Sequence, residues 1–547
     1  MTRRIRNFSF IPLIFIVLLS VFSTETYAQS KSNKGKEFWL NFMAHIDGTG
    51  AGMSLYITSD SNTTGTVSVP GQSWSTSFSV IANSLTVVNV PVASTYIGCS
   101  NCITNKAVRV VSDDDVVVYA HHYEGNKSDA TLVLPTRTLG KEYYAMARQE
   151  STSNFGQVGK SVFTVMAVKD STVVRITPAT TINGGGSSNR AAGTPFEITL
   201  DQGEVYQGIA QGTSSSDDVT GTHIEVIDTG ATADCRTVAV FSGSTYTRVG
   251  GCTTGFGVNS ADNLFEQMFP TNSWGKRFVL VPALGRGSDN FRFMGSVDNT
   301  QLIIFRTTGS PQIEYVDEGE FVEVQNESTV RYAIATHPVM VAQFQKTAKC
   351  DGGGNNIGDP SMTILNPLEQ TLKDITLYSS RFYDIDNHYI NVVIPAAGAS
   401  SFRIDGNSVT FSPVPRNAQY SYARLSVTAG NHRLTANQGF IATAYGEGQY
   451  ESYGYAAGAN VKDLTAVAQV ANSKKTDEIS GCLGSEVEFT GSAEYAVVKW
   501  EWDFGDGNTD TVQSPKHTYQ DTGLYTAKLY TYKPTFDGCS DYDSSFV

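Results

Sequence analysis

Gly-Lys-Glu-Phe at residues 35–38 opens a segment of the chain that recurs three more times. The later openings are Gly-Lys-Glu-Tyr at 140–143, Gly-Lys-Arg-Phe at 275–278 and, more weakly, Leu-Lys-Asp-Ile at 372–375. Self-similarity at a spacing of about 100 residues is typical of repeat architectures. We therefore divide residues 35–460 into four copies, at 35–134, 140–269, 275–366 and 372–458.

A proline precedes each of the last three openings at the same offset, which predicts a turn followed by a strand. These prolines are Pro135, Pro270 and Pro367. Because short turns rather than flexible linkers join the copies, they are expected to form one continuous body.

Alternating polar and apolar residues around an Asp, Asn or Ser turn predict a β-hairpin inside every copy. In copy two, segments 163–168 and 172–177 flank the turn Lys169-Asp170-Ser171. The matching segments elsewhere are 53–58 and 65–69, 291–296 and 300–306, and 389–394 and 401–404. Each copy is then predicted to close on an apolar strand, at 116–120, 237–242, 339–343 or 440–444, and Asp113-Asp114-Asp115 to form a turn before the first of these.

The composition predicts an all-β protein. Fifty glycines favour turns, and the aromatic share of 11% argues against disorder. Each copy, with about six or seven predicted strands, can be a sandwich by itself, or the four can pack around a ring like propeller blades. Both arrangements fit the pattern.

The first residues have the pattern of a signal peptide, which we place at 1–28. Arginines precede the short apolar run 8–22, and Thr26-Tyr27-Ala28 supplies a cleavage site before Gln29. The alternative, a retained membrane anchor, needs a span of about 20 residues. The mature chain is therefore expected to be secreted or held at the cell surface, without membrane insertion.

The net charge of −14 argues against a nucleic-acid partner, because phosphate binding needs a basic face. An extracellular glycan or protein is the expected partner. We expect no cofactor, although this acidity is compatible with calcium uptake.

Seven cysteines in an exported chain are first interpreted as disulfides. Cys99 and Cys102 are neighbours in one loop, and a local bridge is favoured there over a redox or zinc site. Cys235 and Cys252 flank a predicted strand and turn, Cys482 and Cys539 bracket the last module, and Cys350 is left over.

Long polar loops interrupt the copies, and such loops on a β scaffold are common binding sites. They are 151–160, 183–192, 212–218 and 351–359, and for each one a plain solvated loop is an equally good interpretation. Residues 461–478 lose the strand pattern and are interpreted as a linker.

The motif Trp500-Glu501-Trp502-Asp503-Phe504-Gly505-Asp506-Gly507 is the most specific in the chain. Trp500, Trp502 and Phe504 alternate as the buried face of a strand, and the glycines permit a tight turn. Residues 479–547 resemble a polycystic-kidney-disease (PKD) domain, which implies an immunoglobulin-like β-sandwich. The resemblance also implies a disulfide pair at Cys482 and Cys539, and an acidic turn at Asp503 and Asp506 that is chiefly structural rather than a calcium site.

Residues 35–460 resemble the N-terminal domain family of the IgG-Fc-binding protein, a mucus component in animals. The resemblance is carried by the Gly-Lys-Glu openings, by residues 265–270 before Trp274-Gly275-Lys276, and by His337-Pro338-Val339. Bacterial members commonly precede PKD repeats in exported proteins, notably in Bacteroidetes. Immunoglobulin binding is not carried over, since no residue here can be matched to an Fc contact.

Two clusters are candidates for chemistry. His121-His122-Tyr123-Glu124 has metal-binding residue types, but adjacent strand residues face opposite sides, so a surface strand end is favoured. Asp384, Asp386 and His388 share one side of an extended segment and are weak metal candidates, with loop polarity as the alternative. No catalytic residues are assigned.

A non-catalytic adhesion or recognition protein is the function that these features favour. A structural spacer and a polysaccharide hydrolase are the alternatives, since hydrolysis needs only two carboxylates about 5–10 Å apart. Trp74, Tyr246, Tyr445 and Tyr453 have side chains suited to stacking on sugars, but we expect each to pack in the core or on a strand.

Overall fold

A computed structural model describes most of the chain after residue 31. The described residues are 32–150, 157–227, 236–250, 260–351, 356–380, 384–461, 464, 466–470, 484–493, 497, 499–532 and 542–546. Strands dominate them, with one short α-helix, α1 (Val92–Thr95), and several short 3-10 helices. No helix in this part of the chain has the length and apolarity to cross a membrane.

The strands of the four copies follow one plan. Copy one has β1 (Gly35–Leu40), β2 (Gly52–Thr58), β3 (Thr63–Val69), β4 (Trp74–Val80), β5 (Leu85–Asn89), β6 (Cys102–Thr104), β7 (Val108–Tyr123) and β8 (Ser128–Val133). Copy two has β9 (Glu142–Tyr144), β10 (Ser161–Ala167), β11 (Thr172–Thr177), β12 (Phe196–Leu200), β13 (Val205–Ile209), β14 (His223–Val226), β15 (Val238–Thr247) and β16 (Asp262–Gln267). Copy three has β17 (Gly275–Leu280), β18 (Asp289–Gly295), β19 (Thr300–Ile304), β20 (Gln312–Val316), β21 (Phe321–Glu327), β22 (Arg331–Gln345) and β23 (Ser361–Ile364). Copy four has β24 (Leu372–Ser379), β25 (Ile385–Pro395), β26 (Arg403–Ile404), β27 (Asn407–Ser408), β28 (Ser412–Pro413), β29 (Tyr420–Val427), β30 (Gly430–Gly448) and β31 (Glu451–Ala456).

In copies one, three and four, one long strand pairs with different strands along its two halves. The first half of β7 pairs with β1 and β3, and its second half pairs with β2 and β8. The strands β22 and β30 do the same, and copy two divides this role between β14 and β15. Each copy is therefore a small two-layer unit, with an outer and an inner sheet.

The long strands cross between their two sheets at β-bulges. On β7 the register against β1 jumps between Gly35, which pairs with Val116, and Glu37, which pairs with Val111. The exposed residues Asp113-Asp114-Asp115 lie within this bulge, so the predicted turn at this position is wrong and the strand continues through it. A bulge bends a strand and increases its twist, which is what a change of sheet requires.

The predicted hairpins are also wrong. β10 and β11 lie in different sheets. In the other two copies the matching strands do not pair with each other: β2 and β3 pair with different halves of β7, and β18 and β19 pair with different halves of β22. The turn between them carries the chain from one layer to the other, with Ser171 and Asn299 in the left-handed region. Period-2 alternation is the same for strands that pair and for strands that stack, which is why the sequence does not separate them.

The apolar segments predicted to close each copy lie in the long strands β7, β15, β22 and β30, and each is followed by one further strand. These last strands are β8, β16, β23 and β31, and we call them the inner strands. β8 packs against β16 and β31, and β23 packs against the same two. Four inner strands, one from each copy, thus surround a common axis, which combines the sandwich and ring arrangements that the sequence left open.

The buried carboxyl group of Asp129 joins all four inner strands. It accepts hydrogen bonds from the backbone N–H groups of Ala130 (3.0 Å), Phe265 (3.0 Å), Met362 (3.4 Å) and Gly454 (3.5 Å). Each donor belongs to a different copy. One side chain therefore sets the spacing of the strands around the axis.

The repeated glycine and proline pack against each other. A Cβ atom on Gly35, Gly140 or Gly275 would lie 2.5, 2.4 or 2.3 Å from the Cβ of Pro135, Pro270 or Pro367 respectively. Copy four reverses the sizes: Leu372 stands at the glycine position, and its Cδ1 would lie 3.1 Å from a Cβ on Gly458. The opening motif thus reflects a close approach between the first strand of a copy and the turn that ends it.

The ring closes between the first and last described parts of the repeat body. The N–H of Asn33 donates to the carbonyl of Ala459 (2.8 Å), and Ser32 forms a β-bridge with Asn460. The Tyr119 hydroxyl, buried in copy one, donates to the carbonyl of Ala457 in copy four (2.7 Å). Copies one and four are therefore joined by direct contacts although they are distant in sequence.

Cys99 and Cys102 form the expected disulfide. β6 follows this loop and pairs with β13 of copy two, and the Gln207 amide donates to the carbonyl of Cys99 (2.6 Å). Cys350 is also disulfide-bonded, so it is not left over as the sequence suggested. Its partner and the candidates Cys235, Cys252, Cys482 and Cys539 lie outside the described residues.

The last module has its own small core. Its strands are β32 (Ala466–Val470), β33 (Glu486–Ala493), β34 (Lys499–Asp503), β35 (Thr509–Asp510), β36 (Lys516–Thr518), β37 (Lys528–Tyr532) and β38 (Tyr542–Phe546). Phe489, Trp502, Phe504 and Leu529 are buried together, with Trp500 partly buried beside them. β32 pairs with β33, so the predicted linker at 461–478 is wrong at residues 466–470.

Replacement of Asp129 by Ala is expected to destabilise the repeat body by about 3 kcal/mol or more, because it leaves buried N–H groups of three other copies without an acceptor. Asp129→Asn retains one acceptor oxygen and should lose less. Chemical denaturation of the mature chain measures both. Asp386→Ala, at an exposed position, is the control, and equal stability of D129A and D386A would contradict the central role of Asp129.

Gly140→Ala is expected to cost about 1–3 kcal/mol, because the new Cβ overlaps the Pro270 ring. Adding Pro270→Gly should recover part of this loss, since it removes the overlapping atoms. A double-mutant cycle in thermal unfolding measures the coupling. Gly50→Ala, whose Cβ would lie 3.9 Å from its nearest neighbour, is the control. Additive effects of G140A and P270G would refute the packing explanation.

Candidate functional site

One end of the ring gathers loops from all four copies. These loops connect each long strand to its inner strand, and their described residues are 124–127, 248–250, 260–261, 346–351, 356–360 and 449–450. They are short in copies one and four and long in copies two and three. We call this end the axial mouth, and residues 351 and 356–359 of the predicted polar loop 351–359 lie in it.

The outer layer of the axial mouth is an ion pair over an aromatic ring. The Lys127 ammonium lies 2.9 Å from the Asp47 carboxylate and 5.8 Å from the ring centroid of Tyr246. Gln157, at the described end of the predicted loop 151–160, donates to Asp47 (3.3 Å). Both members of the ion pair are about one fifth exposed, so this layer is reachable from solvent.

Three carboxyl groups lie near Lys127 and Tyr246, at or just before the starts of inner strands. Asp262, Asp359 and Glu451 come from copies two, three and four, and each is at most 1% exposed. One oxygen of each has no hydrogen-bond partner among the described residues. Burial raises the pKa of Asp359 to about 7 and that of Glu451 to about 9, and it raises the pKa of Asp262 well above its ordinary value.

A second buried group of charges adjoins the mouth between copies three and four. Arg286 is fully buried and pairs with Asp351 at 3.1 Å. Neither oxygen of the buried Glu447 carboxyl has a hydrogen-bond partner in the described residues. Burial raises the pKa of Glu447 to about 8, although the Arg286 charge opposes the shift.

The two neighbouring histidines are core residues. His121 and His122 are 0% and 2% exposed, so the predicted surface strand end is wrong. They do face opposite sides: His121 lies against Tyr453, and His122 against Phe265 and His45. Both faces of this part of β7 are covered, and burial lowers the pKa of His121 to about 3.

The structure does not bring the weak metal candidates together. Asp384 and Asp386 are exposed, whereas His388 is buried at 5% exposure, because a register shift between Ile385 and Asn387 breaks the alternation. Within the described ranges, no three His, Cys, Asp or Glu side chains are arranged to hold a metal ion.

The acidic turn of the last module is occupied by internal hydrogen bonds. Asp503 accepts from the N–H of Gly505 (2.9 Å), and Asp506 accepts from the N–H of Asn508 (3.0 Å). The second oxygen of Asp506 lies 2.7 Å from His517, whose ring stacks on Phe504. Gly505 and Gly507 of this turn are both in the left-handed region.

The aromatic candidates for sugar stacking are packing residues. Tyr246, Tyr445 and Tyr453 are at most 5% exposed, and Trp74 packs partly buried against the core. Of these, only Tyr246 lies at the mouth.

Sequence reasoning missed Asp47, Lys127, Asp262 and Glu451. Lys127, Asp262 and Glu451 could have been found from their position at or beside the first residue of an inner strand. Those strands, however, were not predicted from the sequence. Asp47 carries no such signal, since it reaches the mouth from the connection between β1 and β2.

Two solved structures align with large parts of the chain. One is a tetra-tandem repeat from the extending region of a large adhesion protein, with 12% identity over 74% of this chain and 98% of that one, and a TM-score of 0.10. The other is a GH78 family rhamnosidase of Bacillus sp. GL1, with 9% identity over 82% of this chain and 56% of that one, and a TM-score of 0.11. Scores this low carry no argument about fold or function.

Two family models match the chain in the order of its modules. Residues 129–446 match the IgGFc binding protein model, and residues 467–544 match a PKD domain. Both fit an extracellular adhesion or recognition role. Because the first match spans more than half of the chain, this protein belongs to the IgGFc binding protein family and carries a PKD domain after its repeat body.

Proposed function

We propose that this chain is an exported, non-catalytic adhesion or recognition protein that contacts an extracellular partner through the axial mouth. The observation that carries the proposal is that loops from all four copies meet at one end of a closed ring. Loops on a rigid β scaffold are where binding sites usually lie. Export rests on the predicted signal peptide, which lies outside the described residues.

The rigidity of the scaffold comes from buried contacts between copies. Arg148 of copy two contacts Glu323 of copy three (2.6 Å), and Arg292 of copy three contacts Asp218 of copy two (2.9 Å). All four side chains are at most 10% exposed. Since breaking such buried pairs is costly, the copies hold the mouth loops in fixed relative positions.

The family supports a protein partner, because its description names binding to the Fc part of an immunoglobulin. No residue of this chain can be matched to an Fc contact, so the partner class comes from the family and the partner itself is left to experiment. A glycan is the alternative partner.

Burial of the acids supports a non-catalytic role. The raised pKa of Asp359, about 7, would suit a general acid. However, Asp262, Asp359 and Glu451 are each at most 1% exposed, so a substrate has no direct access to them in this conformation.

The proposal predicts that Asn126→Arg with Gln449→Arg weakens ligand binding by at least about tenfold, because both positions are exposed at the mouth and bulky cations obstruct it. The mature chain from Gln29 is first screened against extracellular proteins and glycans, with calcium and with chelator. Binding of the hit is then measured for both chains. Ser75→Arg with Ser77→Arg, on the exposed face of β4, is the matched control and should bind normally.

Equal weakening by the mouth and β4 variants would contradict the mouth as the contact surface. Silence of the wild-type chain across the screen, with a rigid particle in scattering, would favour the spacer. Release of cleaved glycan would favour the hydrolase.

A further inference from the structure

The outer sheet of copy three carries an exposed apolar row. Ile313 on β20 pairs with Ile303 on β19, and Ile303 pairs with Ile334 on β22. Because directly paired residues project from the same face of a sheet, the three isoleucines lie side by side. Ile313 is 51% exposed, and Tyr315, two residues further along β20, is 62% exposed. The β20 side of the row therefore faces solvent.

The corresponding rows of the other copies are polar at their centre. In each copy the row ends on the first strand, two residues after the residue that opens the copy. Copy two has Glu197, Arg175 and Glu225 in place of the three isoleucines, joined by two ion pairs of 3.0 Å. Copies one and four have Thr66 and Arg403 at the central position. The apolar row is thus a feature of copy three and not a requirement of the fold.

The row is continuous with the buried interface between copies three and four. Ile334 packs, partly buried, against an apolar cluster that includes Val393 of copy four. Arg416 of copy four reaches the connection between β19 and β20, where it donates to the carbonyls of Arg306 (3.3 Å) and Gly309 (3.2 Å). Copy four therefore covers the Ile334 side of the row and leaves the β20 side open.

β20 is an edge strand. Among the described strands it pairs only with β19, so no hydrogen-bonded strand lies along its other edge. Such an edge presents backbone groups that can pair with another chain, and proteins commonly blunt it with charged side chains. On its exposed face β20 carries Ile313 and Tyr315 instead.

The two ends of β20 differ in charge. Asp317 and Glu318 directly follow its last residue, and both are exposed. Arg306 and Arg416, also exposed, lie at the opposite end, in and against the connection that precedes Gln312. Two copies of β20 that run antiparallel place the acidic end of each strand beside the basic end of the other.

We propose that the open edge of β20 is a self-association surface, on which a second copy of this chain adds its own β20 in antiparallel orientation about a two-fold axis. An interface of this symmetry uses the same patch on both chains. Ile313 and Tyr315 of the two chains then form one apolar strip, and the charged ends meet in two complementary pairs. This surface is separate from the axial mouth and does not depend on the recognition role proposed above.

Two residues limit the strength of this pairing. Pro311 precedes β20 and has no N–H to donate, so the pairing is confined to the five residues of the strand. Glu314, at the middle of β20, is half-buried and accepts a hydrogen bond from the Gln312 amide (3.0 Å). In the dimer the two Glu314 carboxylates approach each other, and like charges on neighbouring strands repel. We therefore expect a weak dimer whose population rises with concentration.

Sedimentation velocity of the mature chain measures this dimer, at concentrations up to about 100 µM because small interfaces are usually weak. Ile313→Lys with Tyr315→Lys is expected to raise the dissociation constant at least about tenfold, since it places cations in the apolar strip. Ser77→Lys with Ser79→Lys, at the corresponding exposed positions of β4 in copy one, is the matched control and should dimerise like the wild type. Circular dichroism checks that each variant is folded, and Tyr315→Lys alone replaces the double variant if that one is not.

Two further changes test the antiparallel arrangement. Glu314→Gln should strengthen the dimer, because it removes the like charges at its centre. Asp317→Arg with Glu318→Arg makes both ends of β20 basic, and Arg306→Glu with Arg416→Glu makes both ends acidic. Neither charge variant should self-associate, whereas an equimolar mixture of the two should form a heterodimer.

A wild-type chain that stays monomeric over this concentration range would overturn the proposal. A dimer that is unchanged in I313K/Y315K would do the same, because it would place the contact on another surface. A weaker dimer for E314Q, or a mixture of the charge variants that stays monomeric, would contradict antiparallel pairing of the β20 edges.

Discussion

The whole repeat body depends on how four backbone strands can approach one axis. Each inner strand presents N–H groups on the side away from its own sheet, and a buried N–H without an acceptor costs about as much as a lost hydrogen bond. The carboxyl of Asp129 receives such groups from all four copies. Glu266 has a similar role lower on the axis, where it accepts from Thr131 (2.5 Å) and from the N–H of Ile364 (3.3 Å). Polar side chains at the axis thus replace the ladder hydrogen bonds that a continuous sheet would supply.

The close contact between the first strand of a copy and the residue that ends the copy is achieved in two ways around the ring. In three copies a glycine on the first strand leaves room for the proline that ends the copy, and in copy four Leu372 fills the space that Gly458 leaves. The combined size of the two contacting residues is therefore constrained more strongly than the identity of either one. This explains why the opening motif of copy four looks weak in the sequence although its first strand, β24, pairs with the long strand in the same way as the others.

Local patterns predicted the copies, their openings and the PKD-like module, because turns and alternation are encoded by neighbouring residues. The layer to which a strand belongs is decided by distant contacts, so β10 and β11 were predicted to pair when they actually stack. His121 and His122 show the same limit: alternation gave their opposite directions correctly, but only the ring covers both faces of β7. The mouth was missed for a related reason, since Lys127 of copy one and Glu451 of copy four approach each other only when the ring closes.

The two ends of the ring differ in how freely their loops can change. Each inner strand begins at the mouth and runs to the opposite end, where in the first three copies a short proline turn leads into the next copy. Those turns must direct the chain into the next copy. Their prolines also fill the space beside a glycine of the first strand, so the length and composition of these turns are restricted; these residues are Pro135, Pro270 and Pro367. The mouth loops only reconnect two strands of one sheet, and their lengths range from the two residues 449–450 to the much longer 346–360. Variation in sequence is therefore tolerated best at the mouth, which is the physical reason to place recognition there rather than at the proline turns.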